Sequence, residues 1–398
     1  MRRRSRSGLL ALATTGILAL SPLSAANLVV EQLELVTYGS LDEATGRFPV
    51  QSRLDFGLSI GGGEKFAGLL KLSYLSTKVE SDLAGLKQTL SSTTLDASAL
   101  ARLNAPGLGL KTVAITAKRL FGLPAEATYF VGSLDTFCSG DEFVSLFGAA
   151  PFATGLRGPL RYPNGIKLNP TVSWDGVQGV YGTGFRFGYA PSDRSRIYLY
   201  AYQDADFDNP GSWSGDLRGL VDLGALKLEA FGGGSWDASH SLGLYRGGFL
   251  FYSAPGDIGE FYAQVGAPQW DPTKTFSIND IFFLFEPRVN FAGGGQLSLS
   301  VFYHPGVYRE QPTGEGGSLD AGFNLRFGRL STNGSQGGLE SYLSFNPSSG
   351  DVTTDIAPYY EVIAYGVAWS FKLGIRPFPW PSAWYGIFRP FVGVKTSF

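Results

Sequence analysis

Cysteine occurs once in 398 residues, methionine once and histidine twice, and charged residues make up only 17% of the chain. A single cysteine, Cys138, has no partner for an internal disulfide, so a bridged framework is excluded and a small, half-buried position is expected for it. The histidines, His240 and His304, stand in no metalloprotease motif, and neither a Walker loop nor a dinucleotide fingerprint occurs. "GGGEK" and "GTGFRFG" are glycine-rich without the required spacing. Ser239 and Ser241 flank His240, but a triad is defined by spatial geometry and not by adjacency. The expectation is therefore no enzyme and no cofactor. Long apolar runs are missing too. Polar residues break every apolar stretch after residue 26 well short of the roughly 20 residues that a spanning helix needs.

What is present begins with a basic, then apolar, amino terminus. Arg2, Arg3, Arg4 and Arg6 precede a thirteen-residue apolar run from Gly8 to Leu20, and Ser24-Ala25-Ala26 follows. That order is a secretory signal, with cleavage expected near Ala26. No cysteine follows the run to anchor a lipid. Removing residues 1–26 leaves 28 basic and 34 acidic residues, a formal charge of −6 that argues against a nucleic-acid partner. Residues 27–398 contain no linker, charge block or low-complexity tract, so they are expected to form one domain.

The repeated feature is strict alternation. In "GSLDAGFNLRF", Leu319, Ala321, Phe323, Leu325 and Phe327 alternate with Ser318, Asp320, Asn324 and Arg326. Successive strand side chains point to opposite faces, so this stretch places one face in an apolar medium and the other in water. "RLDFGLSI", "ALKLEAF", "DIFFLFEPRVNF" and "QLSLSVFY" repeat the pattern, and similar segments start near residues 66, 108, 177, 196, 242, 258, 337, 360 and 386. Candidate strands run about 9 to 13 residues, matching the roughly 9 to 11 of a tilted membrane strand better than the five or six of a soluble one. Tight connections such as "GGGE" (61–64), "APSDR" (190–194), "LGA" (223–225) and "AGGG" (292–295) mostly alternate with long polar ones beyond residue 190. Short turns at one end and long loops at the other are the asymmetry of outer-membrane barrels. In hydrocarbon an open sheet edge is costly, so the sheet is expected to close.

The chain ends "FVGVKTSF", with Phe398, Val394 and Val392 at alternate positions; Thr396 and Pro390 depart from that alternation. In signal, strand rhythm and terminus the sequence resembles the bacterial outer-membrane β-barrel class, porin-like in type. The resemblance implies an all-β, closed antiparallel transmembrane barrel of about 16 strands (14 to 18). It also implies outer-membrane lipid and the barrel-assembly machinery as partners, the latter through the strand ending at Phe398, and a homotrimer.

The alternation puts Arg53, Asp55, Lys71, Arg186, Lys227, Glu229, Arg246, Glu260, Asp280, Glu286, Arg288, Asp320, Arg326 and Lys395 on the inner face, as pore lining or as pairs that stiffen the wall. Residues 135–174 break the rhythm, yet carry Phe143, Val144, Leu146, Phe147 and Phe152. An infolded loop is expected there, with Asp141, Glu142, Arg157 and Arg161 as constriction charges, an ordinary surface loop or two further strands being the alternatives. Tyr198, Tyr200 and Tyr202 form an inward ladder that either stacks sugar rings or packs structurally. Asp204, Asp206 and Asp208 have calcium-loop spacing, but Asn209 and Gly215 stand where that loop needs Gly and Glu, so no metal is expected. The functional expectation is passive diffusion of small hydrophilic solutes. Its rivals are a non-conducting adhesin-like barrel, a channel specific for sugars or hydrophobic compounds, and a secreted soluble β protein.

Overall fold

The computed structural model describes residues 27–39, 46–48, 50–76, 108–138, 146–148, 178–204, 212–236, 242–305, 317–329, 334–347 and 349–396. They form eighteen strands. These are β1 Asn27–Gly39, β2 Val50–Gly62, β3 Phe66–Ser76, β4 Leu108–Lys118, β5 Ala125–Phe137 and β6 Gln178–Ser192. Next come β7 Ser195–Asp204, β8 Trp213–Asp222, β9 Leu226–Trp236, β10 Leu244–Ser253, β11 Gly259–Trp270 and β12 Phe282–Phe291. The last are β13 Gly295–His304, β14 Ser318–Gly328, β15 Ser335–Phe345, β16 Val352–Ala364, β17 Val367–Phe378 and β18 Phe388–Thr396. Each strand pairs antiparallel with its sequence neighbour, and β1 pairs with β18 from Leu33↔Thr396 to Tyr38↔Phe391. The sheet is therefore a closed barrel with no free edge, as a lipid environment requires.

Eighteen is the upper end of the expected range. The alternating segments read from the sequence, with the weaker stretches 28–38 and 125–134 that form β1 and β5, make sixteen; the two strands beyond them are β8 and one of the pair β16 and β17. In β8 the outward positions include Gly215 and Gly219, so the apolar ladder that would betray a lipid-facing strand is thinned. β16 and β17 are joined by Tyr365 and Gly366 alone, both at positive φ (54° and 75°), a turn geometry that follows strand twist. Read without that turn, the two merge into one segment and shift the in/out parity of everything after them. With both strands counted, 379–387 falls at the long-loop end.

One end of the barrel carries the short connections 63–65, 193–194, 223–225, 292–294 and 365–366, together with the start of β1 and the end of β18. At the opposite end lie the last residues of β1, β3, β5, β11 and β13 and the connection 271–281.

Burial follows the alternation. On β14, Ser318, Asp320 and Asn324 are buried toward the interior, while Leu319 and Phe323 point outward and stay exposed. The same outward belt continues through Phe185, Leu199, Leu217, Phe249, Phe285, Leu299, Leu343, Phe371 and Val392. Soluble monomers rarely expose contiguous apolar patches above a few hundred Å². A belt around the whole circumference is a lipid-facing surface, and strands of 9 to 15 residues are long enough to cross a bilayer. The fold is thus a closed transmembrane β-barrel.

Candidate functional site: the barrel lumen

The interior is built from the second half of each alternation, and its charges are organised as ion pairs. On β8 and β10, Arg246 grips Asp216 through two bonds, Nε to Oδ1 at 2.6 Å and Nη2 to Oδ2 at 2.7 Å. The same guanidinium donates to the Ser235 and Tyr202 hydroxyls, and Tyr202 donates to Asp216. Gly233 lies opposite Asp216, and a Cβ there would collide with that carboxylate, so only glycine leaves room for the pair.

Neighbouring strands repeat the device. Arg218 donates to Glu229 at 2.7 Å with both side chains fully buried. Arg186 bridges Glu126 and Asp135, each at 2.8 Å. Arg288 binds Glu286 at 2.7 Å and Glu260 at 3.0 Å, with its guanidinium over the Tyr262 ring. Round the far wall, Asp55 holds Arg53 and Lys111, Glu340 holds Lys372, and Asp355 holds Arg376. Paired charges inside a barrel satisfy one another while leaving the outer face apolar.

One arc of the wall also receives main chain. Beyond β5, the Cys138 N–H donates to Glu229 Oε1 at 2.7 Å, and Gln264 Nε2 donates to the Cys138 carbonyl at 2.5 Å. Lys227 Nζ donates to the Phe147 carbonyl at 3.1 Å and sits over its ring. Phe137 packs against Tyr200 and Phe231 at centroid separations of 5.3 and 5.0 Å. Phe137, at the end of β5, with Cys138 and Phe147 beyond it, thus lies against side chains of β7, β8, β9 and β11.

Of the inner-face residues read from the sequence, Arg53, Asp55, Arg186, Lys227, Glu229, Arg246, Glu260, Glu286, Arg288, Asp320 and Arg326 all sit on inward positions. Lys71 faces Gly57 and Thr112 across its neighbours, which places it inward as well. Lys395 pairs in register with the inward Glu34 and is exposed near the short-turn rim. Asp280 is a correction. It belongs to a 3-10 turn, Ile278–Asp280, where its carboxylate accepts from the Ser277 N–H at 2.8 Å in a capping box; it ends a loop and lines no strand.

Tyr198, Tyr200 and Tyr202 do point inward, but 5% or less of each is exposed. Tyr200 donates to Asp135, Gly188 of β6 lies beneath the Tyr198 ring, and Gly184 lies against the Tyr202 backbone and Cβ. Covered by Phe130 and Phe137, these rings are packed and present no open face for a sugar. Asp204 is buried and accepts from Ser214 at 2.5 Å. Asp206 and Asp208, the constriction candidates Asp141, Glu142, Arg157 and Arg161, the signal 1–26 and Phe398 lie outside the described residues.

Several partners were not among the sequence candidates: Lys111, Glu126, Asp135, Asp216, Arg218, Glu340, Asp355, Lys372 and Arg376. The signal for Asp216 and Arg218 was their two-residue spacing within "SGDLRGLVD", weakened by the outward glycines.

No family model matches the sequence, and no curated protein matches it. In fold, the barrel resembles a solved variant of the porin of Rhodopseudomonas blastica, with a TM-score of 0.50 at 12% identity over 94% of this chain and 100% of the other. A second variant of that porin aligns over the same shares at 12% identity with a TM-score of 0.49. At such identity the likeness is one of fold. Together with the closed eighteen-strand sheet, it defines the class as a porin-like transmembrane β-barrel.

Proposed function

We propose that the chain is a bacterial outer-membrane channel, not an enzyme, that lets small hydrophilic solutes diffuse passively, with the segment after β5 narrowing its lumen. The observation that carries this reading is the docking of Cys138 and Phe147 on one arc of a charged inner wall. A segment bound to one arc narrows an aqueous path without the need to fill it. Charged groups at such a constriction set ion preference, the role assigned to Asp141, Glu142, Arg157 and Arg161. Residues 1–26 serve export and are removed, the terminal strand addresses the assembly machinery, and three copies assemble in the membrane.

A second reading, a sealed barrel used for surface contacts, draws on the fully buried aromatic cluster that includes Phe137, Tyr200 and Tyr202. Planar-bilayer conductance of refolded residues 27–398 separates the two. Discrete steps that grow when residues 141–160 are deleted are the expected result. A refolded barrel that never conducts, with or without that segment, overturns the channel in favour of the sealed barrel.

A further inference from the structure

Near the short-turn end of the lumen, a cavity of about 440 Å³ opens between β11 and β15, lined by Glu260, Asn290, Gln296, Arg326, Arg329 and Gln336. Its position follows from register: Gln296 pairs with Arg326, and Gly328 with Gln336, beside the turns that follow β12 and β14. Most of its polar groups are already engaged. Glu260 accepts from Arg288, the Gln296 amide donates to Asn290, and the Gln336 amide donates to Glu361.

The two arginines differ from the rest of the inner wall. Arg53, Arg186, Arg218, Arg246, Arg288 and Arg376 each hold a carboxylate at 3.0 Å or less. Arg326 makes no ion pair among the described residues, and its Nε is buried without a hydrogen-bond partner. Arg329 runs along the turn glycine Gly294, where a Cβ would meet its Cγ at 3.3 Å, so the glycine gives the side chain its path beside the cavity. A buried guanidinium nitrogen left without an acceptor carries a desolvation cost that a bound anion removes, and planar guanidinium groups match carboxylate geometry.

We infer that this cavity is a binding site for small organic dianions, such as short dicarboxylates, held between the guanidinium groups of Arg326 and Arg329. As a station on a transport path the site rests on the channel reading; as a binding site it does not. Arg288 is shared between Glu260 and Glu286, so that group keeps one negative charge, which the two positive charges of Arg326 and Arg329 outweigh. The amides of Gln296 and Gln336 border the anion without competing for the arginines.

The test is titration calorimetry of succinate into detergent-refolded residues 27–398, with butane-1,4-diol as the neutral control of similar length. Saturable succinate binding is expected, with none for the diol. Affinity should fall at least tenfold in the double variant R326Q/R329Q, and R326K/R329K, which keeps the charge but loses the fork, should lie between. Removal of the arginines breaks no ion pair among the described residues, so the variants should refold with the wild-type heat-dependent gel shift. If either fails to refold, the single variant R329Q, at an exposed position, serves with an expected weakening of at least threefold. No succinate binding by the wild-type chain, equal affinity in the variants, or equal binding of the diol overturns the site. Conductance steps without succinate binding overturn the site and leave the channel; succinate binding by a barrel that never conducts overturns the channel and leaves the site.

Discussion

The inner wall is divided into two unlike arcs, although the outer wall is the same all the way round. The largest fully buried side chains among the described residues, including Arg218, Tyr200, Tyr262, Phe130, Phe282 and Phe302, all fall on strands between β5 and β13. From β14 round to β4 none of these largest fully buried side chains occurs, and the inward residues mix Asn324, Gln336, Ser344, Ser370, Glu34 and Thr112 with the less completely buried Tyr342, Tyr359, Phe391 and Tyr38. The reason lies in what each surface meets. Lipid is uniform around the barrel, so every strand offers it the same apolar ladder. Among the described residues the interior meets a docked chain segment on the side of β7 to β11, and that side carries the aromatic packing and the fully buried Arg218–Glu229 pair.

The most severe way to break this difference is Glu229→Ala. Glu229 is fully buried, pairs with Arg218 and also accepts the Cys138 N–H, so its loss strands a buried guanidinium and unties the segment. A destabilisation of about 3–5 kcal/mol is expected in urea unfolding from lipid vesicles, the range for removing one partner of a buried pair. Loss of less than about 1 kcal/mol would show that the pair is solvated and the arc loosely packed.

Next is a test of the uniform outer wall. Phe185 on β6 and Phe323 on β14 are both outward at mid-strand, one in each arc. Phe185→Arg and Phe323→Arg should each cost about 2–4 kcal/mol in the same assay, and by similar amounts, because both place a charge near the bilayer midplane. A large cost at one position and none at the other would mean that part of the outer wall faces protein instead of lipid.

The smallest effect probes the packing of the aromatic arc. A Cβ on Gly184 would overlap the Tyr202 backbone and Cβ, whereas one on the outward Gly215 meets nothing nearer than 3.7 Å. Gly184→Ala is expected to cost about 1–3 kcal/mol by overpacking, and Gly215→Ala to stay within about 0.5 kcal/mol of wild type. Equal values would show that the inner arc yields as freely as the lipid face.

Much of this architecture is readable in the chain because the barrel rule is local. The ladder of Leu319, Phe323 and Phe327 against Asp320, Asn324 and Arg326 needs no knowledge of neighbours to assign its two faces. Reading failed where local pattern and geometry part company. β8 hides behind outward glycines, and the turn at Tyr365 and Gly366 is too short to interrupt an alternating run. Asp280 lies two residues before the first inward side chain of its strand, in phase with it, yet a capping turn holds it outside the ladder. The tyrosine ladder was legible as inward, but nothing in residues 196–204 reveals that Phe130 and Phe137 cover it.

The sequence by itself determined the closed-barrel class and the face of most side chains, because a two-residue period is fixed by the geometry of the extended chain. Only the tertiary structure decided which charges meet and where a charge is left without a partner. Arg186 finds Asp135 across 51 positions, and Cys138 finds Glu229 across 91. Arg186 and Asp135 lie on different strands and Cys138 lies just beyond β5, so strand pairing and the path of the segment after β5 bring each to its partner; no local pattern in the chain encodes it.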